Sequence, residues 1–192
     1  MPPRSSKKST KMSNSEGETQ KRRKKVFGLH ETSVARELKH GSRTERVSKN
    51  AVTLTVKMAE KAIKELAKKC CKSLEISKKK TVTISTLEDC IEAMDCSFWD
   101  PSTVHHAKTS KERTKGDRRS IATESCRRVF STGCPLGKKQ YQMAEDAKDA
   151  LTLLTIEYVR NLGKAAGKVT EAAKRKTLSS TDVATANTIR SQ

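Results

Sequence analysis

Two short basic clusters, each ending in a threonine, are the residues of this sequence best suited to bind a polyanion. The first is Lys78-Lys79-Lys80-Thr81 and the second is Lys174-Arg175-Lys176-Thr177. Ammonium and guanidinium groups bind phosphate oxygens, and neighbouring hydroxyls and backbone amides donate hydrogen bonds to the same oxygens. One such cluster is typical of an ordinary solvated loop, but its recurrence in two parts of the chain favours phosphate binding.

The composition of the whole chain points to the same kind of partner. Lys and Arg number 41 against 22 Asp and Glu, which gives 192 residues a formal net charge of +19. Such an excess predicts a polyanionic partner. Only 3% of the residues are aromatic, which disfavours proteins that stack single-stranded bases on aromatic rings. The sequence therefore favours contact with phosphates over base stacking.

Cysteines and histidines do not support an enzyme or a metal site. The six cysteines form no C-x-x-C pair, and we expect them to stay reduced and pack as small apolar residues. No Ser/His/Asp or Cys/His constellation and no phosphate-cradling glycine loop is visible. The pair His105-His106 is more typical of an exposed linker than of a metal site. We expect no catalysis, no cofactor, no small-molecule substrate and no metal.

A signal peptide and a membrane span are also not visible. The first 25 residues contain no apolar run, and no stretch approaches the roughly 20 apolar residues of a spanning helix. Residues 1–30 are rich in Ser, Thr, Lys and Arg, which predicts a disordered basic tail. Its run Lys21 to Lys25 suits a nuclear import signal or a phosphate-binding arm, and the alternative is a tail that only solubilises. No membrane partner is expected.

A short, a long and a short helix are predicted in residues 31–96. Val34 and Leu38 share a face of the first helix, at about 31–40, with Gly41 as a stop signal. Ser48 is a credible N-cap for a long helix to about Ile76. A basic loop with a short extended piece follows, and then a short helix that carries Leu87, Cys90, Ile91 and Met94.

The same pattern returns after a linker at 97–117, within residues 118–192. Ile121, Ser125 and Val129 indicate a short helix, and a long helix is predicted from about Met143 to Ala173. A last short helix is predicted at about 181–189. Gly163 and Gly167 each weaken the long helix by about 1 kcal/mol relative to Ala, which indicates either a close helix crossing or an imperfect sequence. Phe98 and Trp99, at the start of the linker, are expected to cap a core, with docking onto a neighbouring protein as the alternative.

Each long helix has one broad apolar stripe that its two short helices cannot cover. It therefore needs a like partner, and covalent fusion supplies that partner at high effective concentration. If the two long helices run antiparallel, the loop before one lies beside the loop after the other. Each end of the pair then gathers basic residues from both halves.

Two stretches of the chain resemble the archaeal and eukaryotic core histones. The first half carries Arg43-Thr44-Glu45-Arg46-Val47-Ser48-Lys49-Asn50-Ala51, followed by Lys79-Lys80-Thr81-Val82-Thr83 in its second loop, the loop after the long helix. The second half carries Thr170-Glu171-Ala172-Ala173-Lys174-Arg175-Lys176-Thr177, with Asp182-Val183 after it. This stretch resembles the histone signature of the second loop more closely. The fused arrangement resembles the histone doublets of nucleocytoplasmic large DNA viruses and, less closely, archaeal fused histones. The resemblance implies an all-α fold in which two histone folds pack as an intramolecular handshake pseudo-dimer.

The resemblance also implies roles for individual residues. Arg46 matches the arginine that enters the minor groove, with Thr81 and Thr177 as the threonines beside it, while Lys80 and Lys176 match phosphate contacts. Arg175 and Asp182 match a buried structural ion pair between loop and helix. The full set of candidate DNA-binding residues is Arg43, Arg46, Lys49, Lys79, Lys80, Thr81, Arg118, Arg119, Lys138, Lys139, Lys174, Arg175, Lys176 and Thr177.

The chain departs from the histone pattern at two places. The first half has Lys79 where the arginine of the ion pair belongs, and its acidic candidates Glu88 and Asp89 lie further along than expected. The first loop of the second half carries Lys138, Lys139 and Gln140 instead of a clear arginine. The resemblance therefore leaves open the ion pair of the first half and the groove insertion of the second half, where the alternative is that Lys138 or Lys139 contacts phosphate alone.

The function that these expectations favour is bending and compaction of double-stranded DNA by a histone doublet, as a component of nucleosome-like particles that package a genome. Its partners are then DNA and other histone pairs or a second doublet. Its location is the nucleus, or the viral factory and virion if the chain is viral, and otherwise chromatin or a nucleoid. The alternative is a histone-fold subunit of a transcription or replication factor, for which a more acidic surface is expected.

Overall fold

A computed structural model describes residues 28–94, 99, 102–103, 120–136 and 140–190 of the chain. The elements with described bounds form two similar runs. The first run is α1 (Glu31–Ser42), β1 (Arg46–Val47), α2 (Lys49–Ser77), β2 (Thr81–Val82) and α3 (Ile84–Glu92). The second is α4 (Thr123–Ser131), β3 (Gln142–Met143), α5 (Glu145–Ala172), β4 (Thr177–Leu178) and α6 (Ser180–Arg190). The predicted pattern of short, long and short helices is confirmed in both.

The long helix α2 begins where the sequence predicts. The Ser48 hydroxyl accepts a hydrogen bond from the Ala51 amide at 3.2 Å, which satisfies one of the amides that a helix start leaves unpaired. Lys78 ends the helix in the left-handed conformation, with φ of 54°. Most of its apolar positions face inward, and Ile63, Leu66 and Ala67 are fully buried, whereas Ile76 near its end is exposed.

Four predicted boundaries are wrong by a few residues, each for a local reason. Gly41 does not stop α1, because the left-handed residue is Arg43, at φ of 54°. Met94 lies beyond the end of α3, and Ile121 lies ahead of α4, although both pack against the core. Met143 belongs to β3 rather than to α5, because its backbone pairs with Val82 of β2.

The two runs join through parallel pairs of strands. β1 pairs with β4, with Arg46 opposite Thr177, and β2 pairs with β3, with Thr81 opposite Gln142. Because β1 precedes α2 while β4 follows α5, the start of each long helix lies beside the end of the other. The expected antiparallel arrangement of α2 and α5, with a loop of each half at both ends, is confirmed.

The two halves correspond closely, at a spacing of 96 residues from β1 onward (Arg46 to Gln142, Thr81 to Thr177). Two glycines at the ends of the first helices, Gly41 and Gly133, make corresponding contacts in the two halves. A Cβ on Gly41 would lie 2.2 Å from the carbonyl oxygen of Arg160, and one on Gly133 would lie 2.6 Å from that of Lys64, the equivalent of Arg160. Each glycine therefore lets the end of a first helix press against the long helix of the other half.

The core is shared between the halves. α1 packs chiefly against α5 of the other half rather than against its own long helix α2. Cβ atoms on Gly163 and Gly167 would lie 2.7 Å and 2.4 Å from carbonyl oxygens of α1, those of Leu38 and Ser42. The close helix crossing is thus the correct interpretation of these two glycines. Beside it, Arg160 Nε donates to the buried Glu37 carboxylate at 2.5 Å.

Part of the predicted linker also joins the core. Trp99 is 6% exposed, and its ring lies 5.3 Å from that of Tyr158 on α5. Thr103 hydrogen-bonds to Glu157 on the same helix. The expectation that Trp99 caps a core is confirmed. The tail before residue 28, Phe98, His105, His106 and the predicted domain limits at 96–97 and 117–118 lie outside the described residues.

Candidate nucleic-acid interface

The strand pairs divide the candidate residues between two ends of the molecule. We define the β1–β4 end as residues 43–49 together with 174–179, and the β2–β3 end as residues 78–83 together with 140–146. Each end combines the first loop of one half, which precedes its long helix, with the second loop of the other half, which follows its long helix. Residues more than 120 positions apart in the chain therefore become neighbours, as Arg46 and Thr177 do.

The β1–β4 end brings together the side chains on which a phosphate or groove contact would depend. The Arg46 amide donates to the carbonyl of Lys176 at 3.3 Å, and the Ser48 amide donates to that of Leu178 at 2.9 Å. Arg46, Lys176 and Thr177 are all exposed. An arginine and a threonine thus stand side by side on paired strands, with a lysine next to them.

Further basic residues surround this pair. Arg43 and Lys174 both adopt the left-handed conformation, with φ of 54° and 53°, and both are exposed, as is Lys49 in the first turn of α2. Glu45 supplies a counter-charge to Lys176, with an oxygen 3.2 Å from Lys176 Nζ. Both side chains are exposed, so this ion pair is worth less than about 1 kcal/mol and can give way to a phosphate.

The Arg175–Asp182 ion pair is present at the same end. The Asp182 carboxylate is buried and also accepts hydrogen bonds from the Ser179 amide at 2.9 Å and the Thr170 hydroxyl at 3.1 Å. Burial raises the pKa of Asp182, but the hydrogen bonds from Ser179, Thr170 and Arg175 outweigh it and leave the pKa below its ordinary value. The Arg175 side chain is 44% exposed, so one face of it stays available to an anion.

The β2–β3 end repeats the backbone but not the side chains. The Gln142 amide donates to the carbonyl of Lys80 at 2.8 Å, and the Ala144 amide donates to that of Val82 at 3.1 Å. Lys79 and Lys80 are exposed, and Thr81 is partly exposed. Opposite Thr81, where the other end has Arg46, stands Gln142. Sequence reasoning missed this residue. The 96-residue spacing between Thr81 and Thr177, when it is added to the position of Arg46, leads to Gln142.

The ion pair of Arg175 and Asp182 is not repeated at the equivalent described positions of the first half. The position that corresponds to Asp182 is Thr86, which forms a reciprocal capping box with Thr83 at the start of α3. Lys79, at the position of Arg175, extends to the surface. The departure seen in the sequence is therefore a replacement of a charged helix cap by a neutral one.

The starts of the two long helices differ in charge. α2 begins with the hydroxyl cap of Ser48 and has no acidic residue in its first turn. α5 begins at Ala144, which has no side-chain cap, and carries Glu145 and Asp146 in its first turn. Helix starts attract anions through their free amides and the helix dipole. The two carboxylates of α5 compete with a phosphate for that position.

Four of the candidate residues, Arg118, Arg119, Lys138 and Lys139, lie outside the described residues. The other ten lie at the two ends of the long helices, as defined above. Within the described ranges, no group of three or more His, Cys, Asp or Glu residues could hold a metal ion. In the same ranges no helix is long and apolar enough to cross a membrane.

Comparisons with known proteins give the fold. The sequence family described as "Histone-like transcription factor (CBF/NF-Y) and archaeal histone" matches residues 136–186. Among solved structures, the histone from Methanopyrus kandleri superposes with a TM-score of 0.57 at 20% identity, over 82% of this chain and 92% of that chain. The comparison with curated proteins gives no match. The chain therefore has the all-α architecture of paired histone folds, and the expected fold class is confirmed.

Proposed function

We propose that this chain is a histone doublet that binds, bends and compacts double-stranded DNA. The observation that carries the proposal is the β1–β4 end, where Arg46 and Thr177 from different halves lie side by side among exposed basic residues. With its counterpart at the β2–β3 end, it presents two basic surfaces joined by antiparallel long helices. A duplex that follows both surfaces is held at two separated places, and it bends between them in the proposed complex.

The contacts proposed for each end are independent of base sequence. Arg46 enters the minor groove beside Thr177 and responds to groove width, as the minor-groove arginines of the histone octamer do. Lys174, Lys176 and Lys80 neutralise phosphates, and the capped start of α2 lies beside Lys49 to add amide donors. We therefore expect binding that depends strongly on salt and weakly on sequence.

Association with another histone pair, or with a second doublet, is the further part of the proposal. An open groove of about 330 Å³ between α5 and α6 supports it, lined by Lys164, Ala165, Lys168, Val169, Ala186 and Ile189. Ile189 is 62% exposed. The equivalent of Ala165 in the first half is Lys69, whose ammonium donates to the Ala93 carbonyl at 2.6 Å. A second histone pair that packs in this groove of the second half would extend the DNA path into a nucleosome-like particle in chromatin, a nucleoid or a viral genome.

Nuclease protection tests this function. The purified chain, alone and with candidate histone partners, is mixed with a long DNA duplex and digested with micrococcal nuclease. We expect a protected fragment of discrete length, and the mixture that yields it identifies the partner required. Smooth degradation in every mixture, together with weak and salt-sensitive binding, would contradict the packaging function.

A subunit of a transcription or replication factor is the second candidate. Two observations favour keeping it: the matching family includes histone-like transcription factors, and the first turn of α5 carries two acidic residues at an end that would face DNA. A factor subunit should bind one defined site rather than any duplex. Equal affinity for unrelated duplexes of the same length favours the doublet, and a preference of a hundredfold or more for one sequence favours the factor.

A further inference from the structure

Two buried thiols meet where α3 packs on α2. Cys70 is fully buried and Cys90 is 5% exposed. The Cys70 thiol donates to the carbonyl oxygen of Thr86, with Sγ 4.0 Å away. Thr86 precedes Cys90 by one helical turn, so its carbonyl points along α3 towards Cys90. Cys70 Sγ therefore lies against the turn of α3 that carries Cys90, and the two thiols are close enough for each to perturb the pKa of the other.

The second half shows that this contact does not need cysteine for packing. The equivalents of Cys70 and Cys90 are Ala166 and Ala186, which are 0% and 1% exposed where α6 packs on α5. An alanine pair fills the same place in the same fold. The two sulfur atoms are thus an addition at one of two equivalent contacts, and they bring redox chemistry that the alanines lack.

The environment divides the two thiols into a nucleophile and a partner. The adjacent Cys70 thiol lowers the pKa of Cys90, against burial and the nearby Asp89, and the Lys69 ammonium lowers it further. The adjacent Cys90 thiol, together with burial, raises the pKa of Cys70 well above its ordinary value. A thiol whose pKa is lowered, next to one whose pKa is raised, is the arrangement in which one sulfur attacks and the other resolves the product.

We propose that Cys70 and Cys90 form a peroxide-reactive dithiol that closes to a disulfide between α2 and α3. The Cys90 thiolate attacks hydrogen peroxide, a molecule small enough for a site with little exposure. An S–O bond forms, the O–O bond breaks and hydroxide leaves. The Cys70 sulfur then attacks the sulfenic sulfur of Cys90, and the hydroxyl leaves with the Cys70 proton as water. The two thiols lose two electrons, and the peroxide gains them.

The chemistry of this dithiol does not depend on the proposed DNA binding, although the disulfide would affect a loop that carries two of the proposed DNA-binding lysines. The disulfide would join the end of α2 to α3 on either side of β2, and so would hold the loop that carries Lys79 and Lys80. The equivalent loop of the second half is held instead by the ion pair of Arg175 and Asp182. An oxidised chain should therefore unfold at a higher temperature than the reduced chain.

Thiol counting and disulfide mapping on the full chain test the proposal. After treatment with hydrogen peroxide, thiols are counted in denaturant and tryptic peptides are analysed by mass spectrometry. We expect the wild-type chain to fall from six free thiols to four, with a cross-link between the peptides that contain Cys70 and Cys90. A chain that keeps all its thiols at doses that oxidise free cysteine overturns the proposal.

Single substitutions separate this pair from its neighbours. Cys71→Ala is the matched control, because Cys71 is adjacent but hydrogen-bonds to Glu75 instead, and it should still lose two thiols. Cys70→Ala and Cys90→Ala should fold, as the alanine pair of the second half does, and should lose no pair. In Cys70→Ala, dimedone should trap a sulfenic acid on Cys90. A cross-link between Cys71 and Cys134, or pair loss that persists in Cys70→Ala, would show that the dithiol is assigned to the wrong residues.

Discussion

The β1–β4 and β2–β3 ends have the same backbone and different side chains. Both pair a first loop with a second loop in the same register, but Arg46 at one end corresponds to Gln142 at the other. One long helix starts with the Ser48 cap, and the other starts with Ala144 followed by two acidic residues. The repeat of the backbone preserves the fold. The proposed DNA contact of Arg46 and the hydroxyl cap of Ser48 both lie at the β1–β4 end.

The largest difference between the ends should appear in stability. Asp182→Ala removes a buried carboxylate that binds Arg175, Ser179 and Thr170, and we expect it to lower the free energy of unfolding by about 2 to 3 kcal/mol. Thr86→Ala, at the equivalent position, removes only a neutral capping box and should cost about 1 kcal/mol. Urea denaturation of the full chain measures both. Equal losses would contradict the comparison.

The contribution of Asp182 should also depend on pH. Its folded-state pKa is lowered, so the stabilisation is present above the unfolded value of about 3.9 and is lost as the pH falls through the lower folded value. The stability difference between the wild-type chain and Asp182→Asn should therefore be constant at neutral pH and should shrink below about pH 4. Thr86→Val, which has no titrating group at that site, is the control and should show a constant difference.

The second largest difference should appear in DNA affinity. Arg46→Ala should weaken binding to a duplex by about tenfold, equivalent to about 1.4 kcal/mol, and should reduce the slope of log affinity against log salt by about 1. Gln142→Ala, its counterpart at the β2–β3 end, should change affinity by less than about twofold, because it removes no charge. Fluorescence anisotropy titrations at several salt concentrations measure both. A loss at Gln142 as large as that at Arg46 would mean that the two ends bind DNA equally.

Helix capping should give the next effect. Ser48→Ala removes the hydroxyl that accepts from the Ala51 amide and should lower the free energy of unfolding by about 1 kcal/mol. Ala144→Ser places a hydroxyl at the uncapped start of α5 and should raise it by about 0.5 to 1 kcal/mol. Thermal unfolding by circular dichroism checks the pair of variants. If Ala144→Ser destabilises the chain, the two helix starts are not equivalent.

The smallest expected effect is a gain at the weaker end. Gln142→Arg supplies the side chain that the other end has at the equivalent position, and we expect about threefold tighter binding to a duplex. The gain is modest because Glu145 and Asp146 lie in the adjacent helix start. Removing them in the triple variant Gln142→Arg, Glu145→Gln, Asp146→Asn should increase the gain, and the anisotropy titration used for Arg46 measures it.

Local patterns in the sequence determined the elements and their order. Helical spacing of apolar residues predicts both long helices to within about two residues, and Ser48 predicts the start of α2. The need of each apolar stripe for a like partner, with the antiparallel arrangement, predicts which loops become neighbours. The inferences about the helices succeed because apolar spacing and capping are properties of a few neighbouring residues.

Contacts between the halves were decided only by the tertiary structure. The sequence predicts Gly41 as a helix stop, whereas the structure uses it for close approach to Arg160, because a glycine signals freedom from a side chain and not which backbone will occupy the space. Likewise, Gln142 occupies the position equivalent to that of Arg46 only because β3 pairs with β2 in one register. The composition determined that the chain would be basic, but register and helix crossing, which join residues far apart in the chain, decided which charges share a surface.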